Sequence, residues 1–181
     1  MSTLKSKSYW VGHFISIIAT IIGVYFAAIA GLNVAMKMEM LSADRGTYYV
    51  SASLQKELQF NVDNINAYIE KGKGKQFIYK EHLAGIRLND FVFQSAKYSD
   101  STFEIEPTLL SELSIYYFNI GAAIDYYYQT DRSSPKNLYK VLVRENKKIN
   151  EQNTLAKLER YNQALAQSIE DRDMTLKQPD Y

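Results

Sequence analysis

The sequence predicts an all-α protein: one N-terminal transmembrane helix continuing into a four-helix antiparallel bundle with long first and last helices. Three observations predict it. Trp10 to Met36 holds no Asp, Glu, Lys or Arg. Beyond it, apolar residues recur at three- and four-residue steps, with no strand-turn-strand alternation. The chain has only eight Gly and three Pro in 181 residues, few of the residues that break helices. The resulting division is a short tail over 1–9, a transmembrane helix over 10–36, a helical domain over 37–172 and a flexible tail over 173–181.

The uncharged run is long enough to cross a bilayer as one tilted helix. Lys5 and Lys7 followed by Ala28-Ile29-Ala30 also fit a cleaved signal peptide. The run continues through Gly31-Leu32-Asn33-Val34-Ala35-Met36 with no polar stretch before a cleavage point, so we read the helix as retained. Tyr9 and Trp10 fall where interfacial aromatic anchors belong. Lys5, Lys7 and the amino terminus on one side against Lys37 and Arg45 on the other place the N-terminus in the cytoplasm by a small margin. The expected location is a bacterial inner membrane, single-pass, with the domain periplasmic. The absence of cysteine is compatible with either side.

Small residues line this helix in columns: Gly12, Ser16 and Thr20 on one, and Ala19, Gly23, Ala27, Gly31 and Ala35 on the other. Bilayer helices associate where backbones approach closely, because lipid supplies no hydrophobic drive between them. The second column therefore reads as a packing face. Its partner is the chain itself or another membrane protein subunit, with membrane lipid around both. His13 lies within a turn of the interface, where it reaches headgroups or water. The span's lack of Asp and Glu argues against a proton-channel stator. It also lacks the acidic residue on which pilins rely for assembly.

After the anchor, Val50, Leu54, Leu58, Val62, Ile65 and Ile69 share one face of a helix running from about Met38 to Ile69. Gly46 weakens it internally, and Lys71-Gly72-Lys73-Gly74-Lys75 ends it. A second helix is expected over Tyr79 to Lys97, burying Leu83, Ile86, Phe91 and Val92. A loop over Tyr98 to Glu106 tucks in Phe103 and Ile105. A third helix starts at Pro107, with Leu109, Leu113, Tyr116, Ile120, Ile124 and Tyr127 inward. Thr130 to Pro135 stops it and starts the next helix, with Ser134 as cap and Pro135 in the first position. That last helix is expected to run to about Arg172 on a seam of Leu138, Leu142, Ile149, Leu158, Leu165 and Ile169.

Together the short basic N-terminus, the Ile22-Gly23-Val24 step in the anchor, the Glu57-Leu58-Gln59-Phe60-Asn61 motif and the stretch from Phe103 through Pro107 to Tyr117 make a pattern. It resembles a broad group of uncharacterised bacterial single-pass membrane proteins with a C-terminal helical domain. The resemblance implies a bacterial membrane protein and brings no catalytic residues. Asn33 to Met38 departs from it, being milder than the Trp and strongly charged stretch usual there.

Little here points to chemistry. Without cysteine there is no thiol nucleophile and no cysteine metal site. His13 and His82 lie too far apart to share a site, and His82 beside Glu81 reads as a surface residue. Neither a zinc-protease pattern, a phosphate-binding glycine loop nor a nucleophile elbow occurs. Glu104 and Glu106 read as solvated loop charges. We expect no enzyme, no cofactor, no metal and no nucleic acid, in keeping with a net charge of +1. Tyrosine is the outlier, with fifteen copies. Tyr116, Tyr117, Tyr126, Tyr127 and Tyr128 cluster on the third helix and form the expected partner surface, since Tyr suits sites apolar at one end and wet at the other. Two roles fit: an accessory or scaffold subunit of a membrane complex, or a small-molecule sensor bundle coupled to a separate transducing subunit.

Overall fold

A computed structural model describes residues 7–130 and 134–177. These form α1 (Lys7–Gly72), α2 (Phe91–Ala96), α3 (Pro107–Gln129), α4 (Pro135–Glu151) and α5 (Thr154–Lys177), with 3-10 turns at Lys80–Leu83 and Asp100–Glu104. No strand occurs among the described residues. Ala43–Asp171 is one unit, and Met1–Ser42 with Arg172–Tyr181 is another.

The first helix is continuous, as the sequence predicts: α1 spans 66 residues. Over residues 9–40 every side chain is exposed. Of the few polar groups here, Thr20 satisfies itself, its hydroxyl donating to the Ser16 carbonyl one turn back at 2.9 Å. A helix apolar on all sides belongs inside a core or inside lipid.

In the unit Ala43–Asp171, α1 contributes Leu54, Leu58 and Ile65 to the core, α3 contributes Leu109, Leu113 and Ile120, and α4 and α5 contribute Leu142 and Leu158. Hydrogen bonds fix the directions. Along α1, Ser51 meets Asn162, Val62 and Asn66 meet Asn146, and Ile69 meets Tyr139. Rising numbers meet falling ones, so α4 and α5 run antiparallel to α1. Along α3, Glu112 meets Thr154 and Lys157, Tyr116 meets Asn146 and Asn119 meets Glu145. Here too the numbers oppose, so α3 runs parallel to α1.

This corrects the expected four-helix antiparallel arrangement. The rods are α1, α3 and α4 with α5 in tandem, and residues 73–106 carry the chain back along α1. The helix expected over Tyr79 to Lys97 is instead a 3-10 turn, an extended stretch and the six-residue α2. Gly85, at φ +77°, stands where a continuous helix would pass, in the left-handed region open to glycine. Leu83 and Ile86 are buried as expected, but Phe91 and Phe103 are exposed while Ile105 is buried.

The expected last helix is interrupted as well. Asn153 has φ 53°, a left-handed conformation that Asn tolerates better than most residues with a Cβ. The Gln152 amide donates to the Lys148 carbonyl at 2.9 Å, closing α4, and the Asn153 carbonyl accepts from Lys157 at 2.9 Å, opening α5. Glu112 of α3 holds the joint, accepting from the Thr154 hydroxyl and the Lys157 ammonium, both at 2.6 Å. Beyond it, α5 continues to Lys177, past the expected start of the flexible tail at 173. Residues 1–6, 131–133 and 178–181, parts of the expected tails and turn, lie outside the described residues. Ser134 and Pro135 occupy the cap and first positions of α4. The Ser134 hydroxyl makes no cap bond. Its carbonyl accepts from Asn137 at 2.9 Å instead.

Candidate functional site

The stretch from Ala84 to Asp90 and the start of α2 lack a strand partner, yet their backbone groups need hydrogen bonds. Side chains of α1 supply many of them. Glu57, Asn61, Asn64 and Tyr68 recur at steps of four, three and four, on one helix face. The Glu57 carboxylate accepts the amides of Val92 at 2.6 Å and Phe93 at 2.9 Å. These are the orphan donors of the first turn of α2, so a residue 35 positions away caps that helix. Asn61 clamps Asn89 twice, accepting its amide at 2.9 Å and donating to its carbonyl at 2.5 Å. Asn64 donates to the Arg87 carbonyl at 3.3 Å and the Tyr68 hydroxyl to that of Ala84 at 3.4 Å. From α3, the Tyr128 hydroxyl donates to the Ile86 carbonyl at 3.3 Å.

The clamped stretch forms one wall of an open groove of about 630 Å³, and α3 forms the other. Gly85, Ile86, Arg87, Leu88 and Asp90 line the first wall, and Gly121, Ile124, Asp125 and Tyr128 the second. A Cβ at Gly121 would meet Leu88 at 3.8 Å, so the floor is closely set. The groove lining thus includes one Arg, two Asp and one Tyr beside apolar Ile86, Leu88 and Ile124. Among the described residues no group of His, Asp and Glu is arranged to hold a metal.

The five tyrosines of the expected partner surface do not share one fate. Tyr116 and Tyr117 are buried, at 1% and 3% exposure, and this removes them from any surface. The reason is their register: with Leu113 and Ile120 they occupy the inward face of α3. The Tyr116 hydroxyl donates to Asn146 at 2.9 Å, and the Tyr117 ring stacks on Phe93 with centroids 4.4 Å apart. Burial pushes both phenols well above their usual pKa, with the charges of Glu145 and Glu57 adding to the effect. Tyr126 and Tyr128 are exposed and Tyr127 is half-buried. Tyr128 alone of the five lines the groove.

A second polar cluster lies between α3 and α4. Burial alone would raise the Glu145 carboxyl. Hydrogen bonds from Arg144 at 2.5 Å and Asn119 at 3.2 Å outweigh it, together with the charges of Arg144 and Lys148, and hold it below the usual carboxylate value. The Asn146 amide donates to the Val62 carbonyl at 3.1 Å and to Asn66 at 2.9 Å. Among the described residues no buried side-chain polar atom lacks a partner.

On the anchor, Ala19, Gly23, Ala27, Gly31 and Ala35 are all exposed. A Cβ at Gly23 or Gly31 would meet nothing within 4 Å. The chain matches no family model, no curated protein and no solved structure.

The clamp residues Glu57 and Asn61 carry a readable signal. They fall on the same stripe as Leu54, Leu58 and Ile65. A carboxylate and an amide on an apolar stripe have to find partners inside the fold. Which backbone they meet depends on a chain return that hydrophobic periodicity does not encode.

Proposed function

We propose that this chain is a non-enzymatic, single-pass, membrane-anchored helical protein that serves as an accessory or scaffold subunit of a membrane complex. The observation that carries the proposal is the anchor: α1 is long and apolar enough to cross a membrane, and over residues 9–40 it is wholly exposed. In water, so large an apolar surface would drive association. In a bilayer it is satisfied, and the Ala19, Gly23, Ala27, Gly31 and Ala35 face is open to a neighbouring helix. The location proposed is a bacterial inner membrane with the domain on the periplasmic side. The resemblance to bacterial single-pass proteins with a helical domain is part of this proposal.

Exposed aromatics on the domain, Phe91, Tyr98, Phe103 and Phe118, support the interaction role over the sensor role. The groove between the 84–90 stretch and α3 supports the sensor as the second reading, since it gathers Arg87, Asp90, Asp125 and Tyr128 around one opening.

The test is purification of the tagged full-length protein in mild detergent, with sizing and mass spectrometry, beside a Gly23→Ile, Gly31→Ile variant. The expected result is a stoichiometric membrane partner that the variant loses while its domain melts unchanged. A wild-type protein that runs as a homo-oligomer, or alone and indifferent to both substitutions, overturns the subunit reading and sends the groove to a ligand screen.

A further inference from the structure

Charge is not spread evenly over this nearly neutral chain. The C-terminal end of α1, the turn that follows and the first turns of α4 meet at one end of the Ala43–Asp171 unit. The Tyr139 hydroxyl donates to the Ile69 carbonyl at 3.0 Å, and a Cβ at Gly72 would meet the Tyr139 ring. This joins Lys71, Lys73, Lys75 and Lys80 to Lys136 and Lys140, and all six are exposed. Over the described residues 70–82 and 134–140 only Glu70 and Glu81 oppose them. Glu70 is engaged by Lys73 at 2.8 Å.

Two exposed aromatic residues stand among these lysines: Phe77 at 61% and Tyr79 at 58% exposure. Their rings lean on each other with centroids 6.5 Å apart, and Tyr79 leans on His82 at 5.7 Å. Rings so engaged form an apolar knob, not the separated platforms on which nucleic-acid bases stack. Lysines around an aromatic knob are the combination that suits a phospholipid interface. The ammoniums attract headgroup phosphates while the rings settle at the headgroup level. Clusters of about 4–8 basic residues suffice for such attraction, and this end carries a cluster of that size.

We propose that this lysine-rich, aromatic-tipped end of the domain docks on an anionic phospholipid surface, as a membrane contact separate from the α1 anchor. The contact uses no preformed pocket. Its strength comes from the summed charge and from Phe77 and Tyr79, so it falls with salt and depends little on which anionic headgroup is offered.

The test uses the full-length protein held in phosphatidylcholine nanodiscs. Incorporation is scored first and bears on the anchor alone. Protein that fails to incorporate is put to the same vesicles directly, so the two readings fail separately. The loaded discs are mixed with vesicles of phosphatidylcholine, with or without phosphatidylglycerol, and floated on a density gradient. Flotation is expected with the phosphatidylglycerol vesicles at low salt and not with pure phosphatidylcholine. A variant with Lys71, Lys73, Lys75, Lys136 and Lys140 changed to Gln should bind at least about tenfold more weakly. These side chains are exposed, and an unchanged melting curve establishes that the variant is folded. Phe77→Ser with Tyr79→Ser should weaken flotation and leave its salt dependence in place. Equal flotation with neutral vesicles, flotation unchanged by the lysine substitutions, or capture of an oligonucleotide without capture of vesicles each overturns the proposal.

Discussion

The two parts of α1 belong to one helix but meet different surroundings, and their glycines show the difference. Gly23 and Gly31 face open space. Gly46 sits where a Cβ would come within 2.6 Å of the Ser101 hydroxyl oxygen, and Gly72 where it would press on Tyr139 and on Ile78 at 2.9 Å. The polar residues divide the same way. Thr20 bonds within its own helix, whereas Ser51, Glu57 and Asn61 all reach other segments. From residue 43 onward Gly46, Ser51, Glu57, Asn61 and Gly72 already have neighbours from other segments. Over the apolar part of α1, Gly23 and Gly31 have open space beside them.

Substitutions can break this contrast. The largest loss should follow Glu57→Leu, which leaves the Val92 and Phe93 amides without their acceptor. Chemical denaturation of the protein in detergent should show a destabilisation of about 3 kcal/mol. An unchanged midpoint would mean that α2 needs no cap from α1. Next comes Gly72→Ala, which overfills the contact with Tyr139 and Ile78 and should cost about 2 kcal/mol in the same assay. Gly23→Ala, its counterpart in the anchor, should leave the midpoint where it was. If both glycines respond alike, the contrast is gone.

The smallest effect is one of pH. The Glu145 carboxyl is held below its ordinary value of 4.5 in the folded state. Its contribution to stability is therefore complete above about pH 4.5 and is lost as pH falls through the lower folded value. Glu145→Gln should flatten the acid side of the stability curve, read from melting temperatures across that range. A variant whose acid dependence matches wild type would place the sensitivity elsewhere.

Much of the helical framework was legible because burial and periodicity coincide there. Leu54, Leu58, Val62 and Ile65 are all buried, and Pro107 and Pro135 open α3 and α4. What escaped was local backbone geometry. Leu83, Ile86, Phe91 and Val92 have helix-compatible spacing, so only Gly85 hinted that the chain turns there. The break at Asn153 has neither Gly nor Pro to announce it. The groove was not legible at all. Its walls come from stretches more than thirty residues apart in sequence, and no local pattern reports on their meeting. The tyrosine cluster was visible, but neighbouring copies on one helix point in different directions. Register, which composition does not contain, sends Tyr116 and Tyr117 inward and leaves Tyr126 and Tyr128 outside.

The clamp on the 84–93 stretch bears on how this protein can change over generations. Arg87 and Asn89 are held through their main-chain atoms, which are the same for nearly any residue. Most of the gripping side chains, Glu57, Asn61, Asn64 and Tyr68, belong to α1, with Tyr128 of α3 adding a bond to Ile86. Mutations at the exposed Arg87 can therefore alter what the groove presents while its main-chain bond stays. Mutations among the four gripping residues put the wall itself at risk. Selection can rewrite the exposed surface quickly while the grip on α1 stays under constraint, so the face of the groove can vary on an unchanged frame.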